Sequence, residues 1–553
     1  MKDYTAGYKA ADFLPHICSL SAVRLGMDDI FNAPDGYIIA SWDMANITKH
    51  FLLNEDPHST KPFGIRVVER AWMLEINRPE PHLEREIATG GWWLHFIRAG
   101  FISVKYRKRI NSILGRAIVL FGESEAFGKD AEQIALRTQI ETLLGMRIEE
   151  FIRIVFGIFA TQLKNHGIIT IKNILGSSDP KMQEIMEPSK VARVLELLSI
   201  TPEGFRDFAS RKLPAGLDAY WLNPLFSYPI IKEKDGEQIF IPITSLLMQR
   251  ATTGLYHMIL RELEKKGGKE SLIFRDSFGK HIFEPYVGLH MAQAIPSEKQ
   301  RRGMKYCDPQ RPSQQISDVD VLGWDAEGII FVETTLLTAS LETQLAVSTK
   351  SVTDYVRKLS DKVRQLHKHH KHSGLIKKDV GISEVLPHHC VLVTFQELPM
   401  PNLLIRYLLE LELNGELGTD FIYHIACIDD WEHLCSSSKK YGIPLSRLLS
   451  EKTGEVPTGY DLMQWECIKD SVFAKIELNM PDPEKEKAGK KPPQWDITNT
   501  AFSEFTDFLM RRFGKEAIGS EMLDEAQNRM WVEMGIDILE ERREERAMQD
   551  GQN

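Results

Sequence analysis

The chain has few cysteines, and nothing in their spacing suits a metal or a disulfide framework. Cys18, Cys307, Cys390, Cys427, Cys435 and Cys467 are scattered over 553 residues without a CxxC pair. That pattern excludes zinc ribbons and disulfide scaffolds and fits a reducing compartment. Long hydrophobic runs are missing too: the most apolar stretch, near 151–163, carries Arg153 and is too short to span a bilayer. The opening MKDYTAGYKAADF lacks a basic stretch followed by an apolar one, so no secretory signal is expected. These absences together predict a soluble, cytoplasmic protein with no membrane partner. Positive charge is not in excess either, since 68 basic against 78 acidic residues leave a formal charge of -10. A protein coated in positive charge is thereby excluded, whereas a local basic groove is not. The motifs GxxxxGK[ST], HExxH and GxSxG do not occur. An NTPase, a zinc protease or a serine hydrolase has no motif support, and any nucleotide-driven motor would be a partner.

What is present is ordinary globular chemistry, 43% hydrophobic and 26% charged. With 26 Phe and 10 Trp, disorder is ruled out as the dominant state. The length suggests about two to four domains. Residues 1–229 read as a mainly helical recognition or interaction region. Within it, Leu136, Ile140, Leu143, Leu144, Ile148, Phe151, Ile152 and Val155 form a buried helical stripe. Trp92, Trp93 and Phe96 precede Lys105, Arg107, Lys108 and Arg109, a pairing that would stack on bases or, more plainly, form a solvated helix edge. Residues 230–270 read as a hairpin with an Asp235-Gly236 turn, then a helix over 245–264 ended by Gly267-Gly268. Residues 271–450 alternate helix and strand patterns, the mark of an α/β domain. Residues 451–553 hold a Pro- and Lys-rich linker at 481–494 and a C-terminal helical extension over 520–547.

The chemistry concentrates at 316–335, read as strand, turn and strand. Alternation puts Asp318 and Asp320 on one face of the first strand, and Phe331 and Glu333 on one face of the second. Pairing through the Trp324 to Gly328 turn would bring Asp320 and Glu333 together across the ladder. Two carboxylates held that close repel unless a cation sits between them, and oxygen ligands favour Mg²⁺ or Mn²⁺. Glu333 also ends the apolar run Ile329-Ile330-Phe331-Val332, where a lone buried acid is costly. The plain alternative is a pair of exposed edge-strand acids. Upstream, Glu284 stands in an apolar, helical frame, and Pro285 behind it puts it at a helix start or a kink. Downstream, Val352, Tyr355, Val356, Leu359, Val363 and Leu366 form the core stripe of a helix, with Lys350, Arg357, Arg364 and Lys368 largely opposite. The tract from His367 to His372 reads as a solvated loop after that helix, with metal binding as the alternative.

Helix with Glu284, strand with Asp320, strand with Glu333, then a helix and two further strands resembles the PD-(D/E)XK nuclease superfamily over roughly a third of the chain. The resemblance implies a multidomain protein whose α/β restriction-endonuclease-like domain, 271–450, has a central mixed sheet. It implies Glu284, Asp320 and Glu333 as ligands of Mg²⁺ or Mn²⁺, with the Thr334 carbonyl nearby and Asp318 as the alternative first-strand ligand. The family lysine would fall at Thr335, which carries no charge; Lys350 is the nearest candidate on the following helix. Lys299, Arg301, Arg302 and Lys305 lie between Glu284 and Asp320 and would hold a nucleic-acid backbone beside the metal. The expected activity is metal-dependent phosphodiester hydrolysis, on DNA rather than RNA. A protein partner or a homo-oligomer is expected, and the layout is similar to bacterial anti-phage defence nucleases. The rivals are a catalytically inactive nuclease-like subunit that binds nucleic acid or scaffolds a complex, and a pure interaction protein.

Overall fold

This computed structural model describes residues 2–18, 41–64, 130–164, 168–176, 186–209 and 223–454 apart from short gaps, with isolated positions between 67 and 121. The aromatic and basic cluster at 92–109, the linker at 481–494 and the helix expected over 520–547 lie outside the described residues. The described residues form helices and two mixed sheets. No described helix is long and apolar enough to cross a membrane.

The apolar stripe of 136–159 folds as two helices, α1 (Ala131–Leu144) and α2 (Ile148–Lys164). Gly145 separates them at φ +73, where its amide closes on the Glu141 carbonyl at 2.8 Å. A side chain is strained in that left-handed conformation, so the chain turns at the glycine. The N-terminal region is not wholly helical. Strands β1 (Ile168–Thr170), β2 (Ser199–Ile200), β3 (Ile230–Lys232) and β4 (Gln238–Phe240) build a small sheet in the order β1-β4-β3-β2. The hairpin read at 230–242 is the middle of that sheet, with Ile231 opposite Phe240. The helix expected over 245–264 divides into α3 (Thr244–Arg250) and α4 (Thr253–Lys266), followed by Gly267 at φ +142.

Helix α5 (Gly268–Phe278) runs through a π-helical turn, Gly279–Phe283, into α6 (Glu284–Ala294). Pro285 supplies no amide, and the Glu284 N–H reaches back to the Gly279 carbonyl. The extra residue per turn absorbs the proline without ending the helix. Glu284 is thus at a helix start and at an irregular turn together.

The second sheet has the order β5-β6-β7-β8-β9, from β5 (Gln300–Asp308), β6 (Arg311–Trp324), β7 (Ile329–Thr335), β8 (His388–Thr394) and β9 (Tyr423–Cys427). β5, β6 and β7 are antiparallel neighbours, while β7, β8 and β9 run parallel. The parallel step needs a crossover, and α7 (Thr349–Lys371) lies between β7 and β8 in the chain. β7 and β8 are buried almost throughout, as expected for strands covered on both faces. Val321, Ile330, Val332, Val391 and Val393 join one core with Phe278, Phe283, Tyr286, Val287 and Met291. Leu322, Phe331, Cys390 and Leu392 join another with Val352, Tyr355, Leu359, Val363 and Leu366 of α7. The first of these cores also takes in α1 and α2, so apolar packing is continuous across position 271.

Candidate active site

The turn that sets the register is closed by Asp325. Its amide donates to the Gly328 carbonyl at 3.0 Å, and its Oδ1 accepts the Glu327 and Gly328 amides at 2.9 and 3.1 Å. The ladder then runs from Trp324 opposite Ile329 to Val321 opposite Val332. Asp320 and Glu333 follow directly on the Val321–Val332 pair, where the ladder ends.

Helix α6 brings the third acid. Gly288 is one turn beyond Glu284, and a Cβ there would stand 2.8 Å from the Arg302 Cδ and 3.8 Å from the Val321 Cγ1. The missing side chain lets α6 lie close against β5 and β6. Trp431, from α8 (Ile428–Tyr441), pins the helix by donating to the Val287 carbonyl at 3.1 Å. Tyr286 adds a hydrogen bond to Glu432 at 2.6 Å.

Asp320 Oδ2 accepts from the Thr334 amide at 2.7 Å and the Thr334 hydroxyl at 2.9 Å. Thr334 therefore serves the acids through its two donors. Thr335 Oγ1 accepts the Leu337 amide at 3.1 Å and shapes the exit from β7.

The positive charge comes from elsewhere. Lys362 Nζ lies 3.3 Å from Glu333 Oε2, and Glu333 is fully buried. Lys350 stands exposed in the first turn of α7. Twelve residues separate the two lysines, about 18 Å along the axis. The expectation of Lys350 is thereby corrected in position: the ammonium beside the acids is three turns further along the same helix.

The histidine tract also needs correcting, because His367 to Lys371 close the last turn of α7 and only His372 lies beyond it. His369 is completely buried, with Nε2 2.7 Å from Glu333 Oε1 and Nδ1 2.9 Å from the Tyr306 hydroxyl. Sequence reasoning missed Lys362, His369 and Tyr306. A signal existed for two of them: Tyr355, Lys362 and His369 are spaced by seven and share the apolar face of α7. A lysine and a histidine on such a stripe must reach a buried partner.

The electrostatics follow from burial first. Loss of solvent, and after it the Asp320 charge, raises Glu284 to about 8. Burial, then Glu333, raises Asp320 to about 6; the Lys362 ammonium and the Thr334 donors oppose this. Burial raises Glu333 to about 7 against the pull of Lys362. Burial lowers His369 to about 4, so it meets Glu333 as a neutral imidazole and the contact is a hydrogen bond.

Carboxyls raised to about 8, 6 and 7 hold much of their proton near neutral pH, and a bound divalent cation would displace those protons. The all-oxygen donor set fits a hard divalent cation. Among the described residues, however, no three His, Cys, Asp or Glu side chains form a ready cage for a metal ion. The fit is one of donor type.

The basic residues line the outer strand. Lys299 ends the short turn Ser297–Lys299, and Arg301, Arg302 and Lys305 follow on β5; all four are exposed. The Arg301 guanidinium rests 5.4 Å from the Trp324 ring centroid, and Lys305 is opposite Asp318 in the ladder. The same strand thus carries cations outward and the Tyr306 hydroxyl inward.

No protein family, curated protein or solved structure matches this chain.

Proposed function

We propose that this chain is a metal-dependent nuclease of the PD-(D/E)XK type, hydrolysing phosphodiester bonds with Mg²⁺ or Mn²⁺ and acting on DNA in preference to RNA. The observation that carries the proposal is the Lys362 ammonium at 3.3 Å from Glu333, in a cluster of acids that repel one another. It gives the site a cation despite the threonine at 335. The order of elements supports it: helix acid, antiparallel strand pair with the other acids, crossover helix, and parallel strands.

A divalent ion held by Glu284, Asp320 and Glu333 would polarise a water and neutralise charge on the phosphate under attack. The rest is done by the chain. Thr334 locks one oxygen of Asp320, so that carboxylate keeps a fixed orientation. Lys362, one-third exposed, donates to Glu333 and Gln365 and keeps one N–H for the attacking water or a phosphate oxygen. Arg302 and Lys305 on β5 hold the nucleic-acid backbone, where neutralising phosphates gives affinity without sequence preference. A role in antiviral defence is proposed on layout alone, a recognition region ahead of an effector.

The second reading, an inactive nuclease-like scaffold, is favoured by one observation, the lack of a ready cage among the described acids. Purified chain incubated with plasmid, linear duplex, single strand and RNA, with Mg²⁺ or with EDTA, separates the two. Degradation that needs the metal and disappears in Asp320→Ala and Glu333→Ala is expected. Equal activity in both variants would remove the site assignment.

A further inference from the structure

Tyr306, His369 and Glu333 form a hydrogen-bonded chain that the proposed hydrolysis does not by itself require. Its members come from three elements, β5, α7 and β7. His369 and Glu333 are fully buried and Tyr306 nearly so. Tyr306 and Leu366 belong to the apolar cluster between α7 and the sheet. A leucine at 369 would fill such a place without demanding two polar partners, and buried polar groups are costly unless each is paired. Here the pairing is complete at both ring nitrogens, 2.7 Å to Glu333 Oε1 and 2.9 Å to the Tyr306 hydroxyl.

The roles follow from donor chemistry. Ionised, as it would be on a divalent ion, Glu333 only accepts, so Nε2 would carry the proton and Nδ1 would accept from Tyr306. The phenol thereby selects the tautomer, and the imidazole cannot turn without breaking both bonds. With Oε1 taken, Oε2 is the oxygen turned toward Lys362.

We infer that His369, held by Tyr306, is a positioning residue that fixes the Glu333 carboxylate so that Oε2 is presented to the divalent ion. This rests on the metal-dependent reading above and adds the part that orients its central acid. Groups that orient a ligand from behind commonly govern metal affinity, by about 10–100-fold.

The test is Mn²⁺ binding to the full chain, read as free Mn²⁺ by electron paramagnetic resonance, with a melting curve for each variant. His369→Leu should weaken binding about 10–100-fold. His369→Gln, whose side-chain amide can still donate to Glu333, should recover most of that loss. Tyr306→Phe should fall between them, since it frees the tautomer but keeps the ring. Folded His369→Leu binding as tightly as the parent overturns the inference, and so does His369→Gln losing as much as His369→Leu. If His369→Leu does not fold, Tyr306→Phe decides, and an unchanged affinity there is equally fatal. A parent chain that binds no Mn²⁺ overturns the metal reading as well, whereas a parent that binds while its variants match it overturns the positioning role alone.

Discussion

Lys362 and Glu333 are separated by 29 residues and meet at 3.3 Å, the ammonium from α7 standing beside the last acid of β7. A cation beside this acid offsets part of the repulsion among Glu284, Asp320 and Glu333, all three raised chiefly by burial. Lys362→Ala should therefore cut metal-dependent cleavage by roughly 10²–10³-fold, the usual cost of one electrostatic donor. Lys350→Ala, in the exposed first turn of the same helix, should leave the rate within about twofold of the parent. Steady-state cleavage of a labelled duplex by both variants checks this, and equal losses would return the role to neither lysine.

Acidity should stabilise the protein when metal is withheld. Glu284, Asp320 and Glu333 stand at about 8, 6 and 7 in the fold, above their ordinary 4.5, 3.8 and 4.5. Between those limits the three acids hold more protons in the folded chain than in the unfolded one, so their contribution to stability falls as pH rises through the window. Below about 6.5 the buried neutral His369 and His388 pull the other way, so melting temperature in EDTA should drop from about pH 6.5 to about pH 8, and Mn²⁺ should restore most at the upper end. A profile flat over this interval would contradict the electrostatic picture.

Glu284→Gln separates the two effects of that acid. Burial keeps Glu284 protonated up to about 8, which costs stability above its ordinary 4.5; the amide removes that cost, so it should raise the melting temperature of the metal-free protein, by about 1 kcal/mol or more in stability at neutral pH. Cleavage should be lost in the same variant. Differential scanning calorimetry in EDTA alongside the cleavage assay reads both, and a destabilised variant would count against that cost.

The approach of α6 to the sheet depends on Gly288, where a Cβ would stand 2.8 Å from the Arg302 Cδ. Gly288→Val must push Arg302 aside or lift the helix that carries Glu284, at about 1–3 kcal/mol, as overpacking usually costs. Chemical denaturation measures the loss; an unchanged midpoint would show that Arg302 moves freely.

Salt should report the basic strand. Replacing Arg302 and Lys305 together by Ala should reduce the slope of log affinity against log salt by about 1 for each phosphate that is no longer neutralised. Fluorescence anisotropy with labelled duplexes of unrelated sequence tests it, and an unaltered slope would place the phosphate-binding cations elsewhere.

Much of this site was legible in the residues because its parts are local. Alternation along β6 and β7, with the Asp325 turn between them, is enough to put Asp320 and Glu333 directly after the last paired residues, Val321 and Val332. Pro285 behind Glu284 announced the irregular helix start, since a proline there lacks the amide that a regular turn uses. The stripe of α7 was equally plain from Val352 to Leu366. Where the periodicity ran on unbroken, as over 136–159, one glycine at positive φ decided the break.

Partners joined through space were decided only by the tertiary structure. Nothing within a few residues of Lys362 or His369 says that Glu333 is their common partner, 29 and 36 residues away. Spacing of three, four and seven tells which side of a helix is buried, but not against which strand or at what height it is buried. That depends on how α7 docks across β7 and β8, which is set by close packing of Leu359, Val363 and Leu366 against the sheet. Local periodicity determined the acids; the docking of one helix selected the lysine and the histidine that serve them.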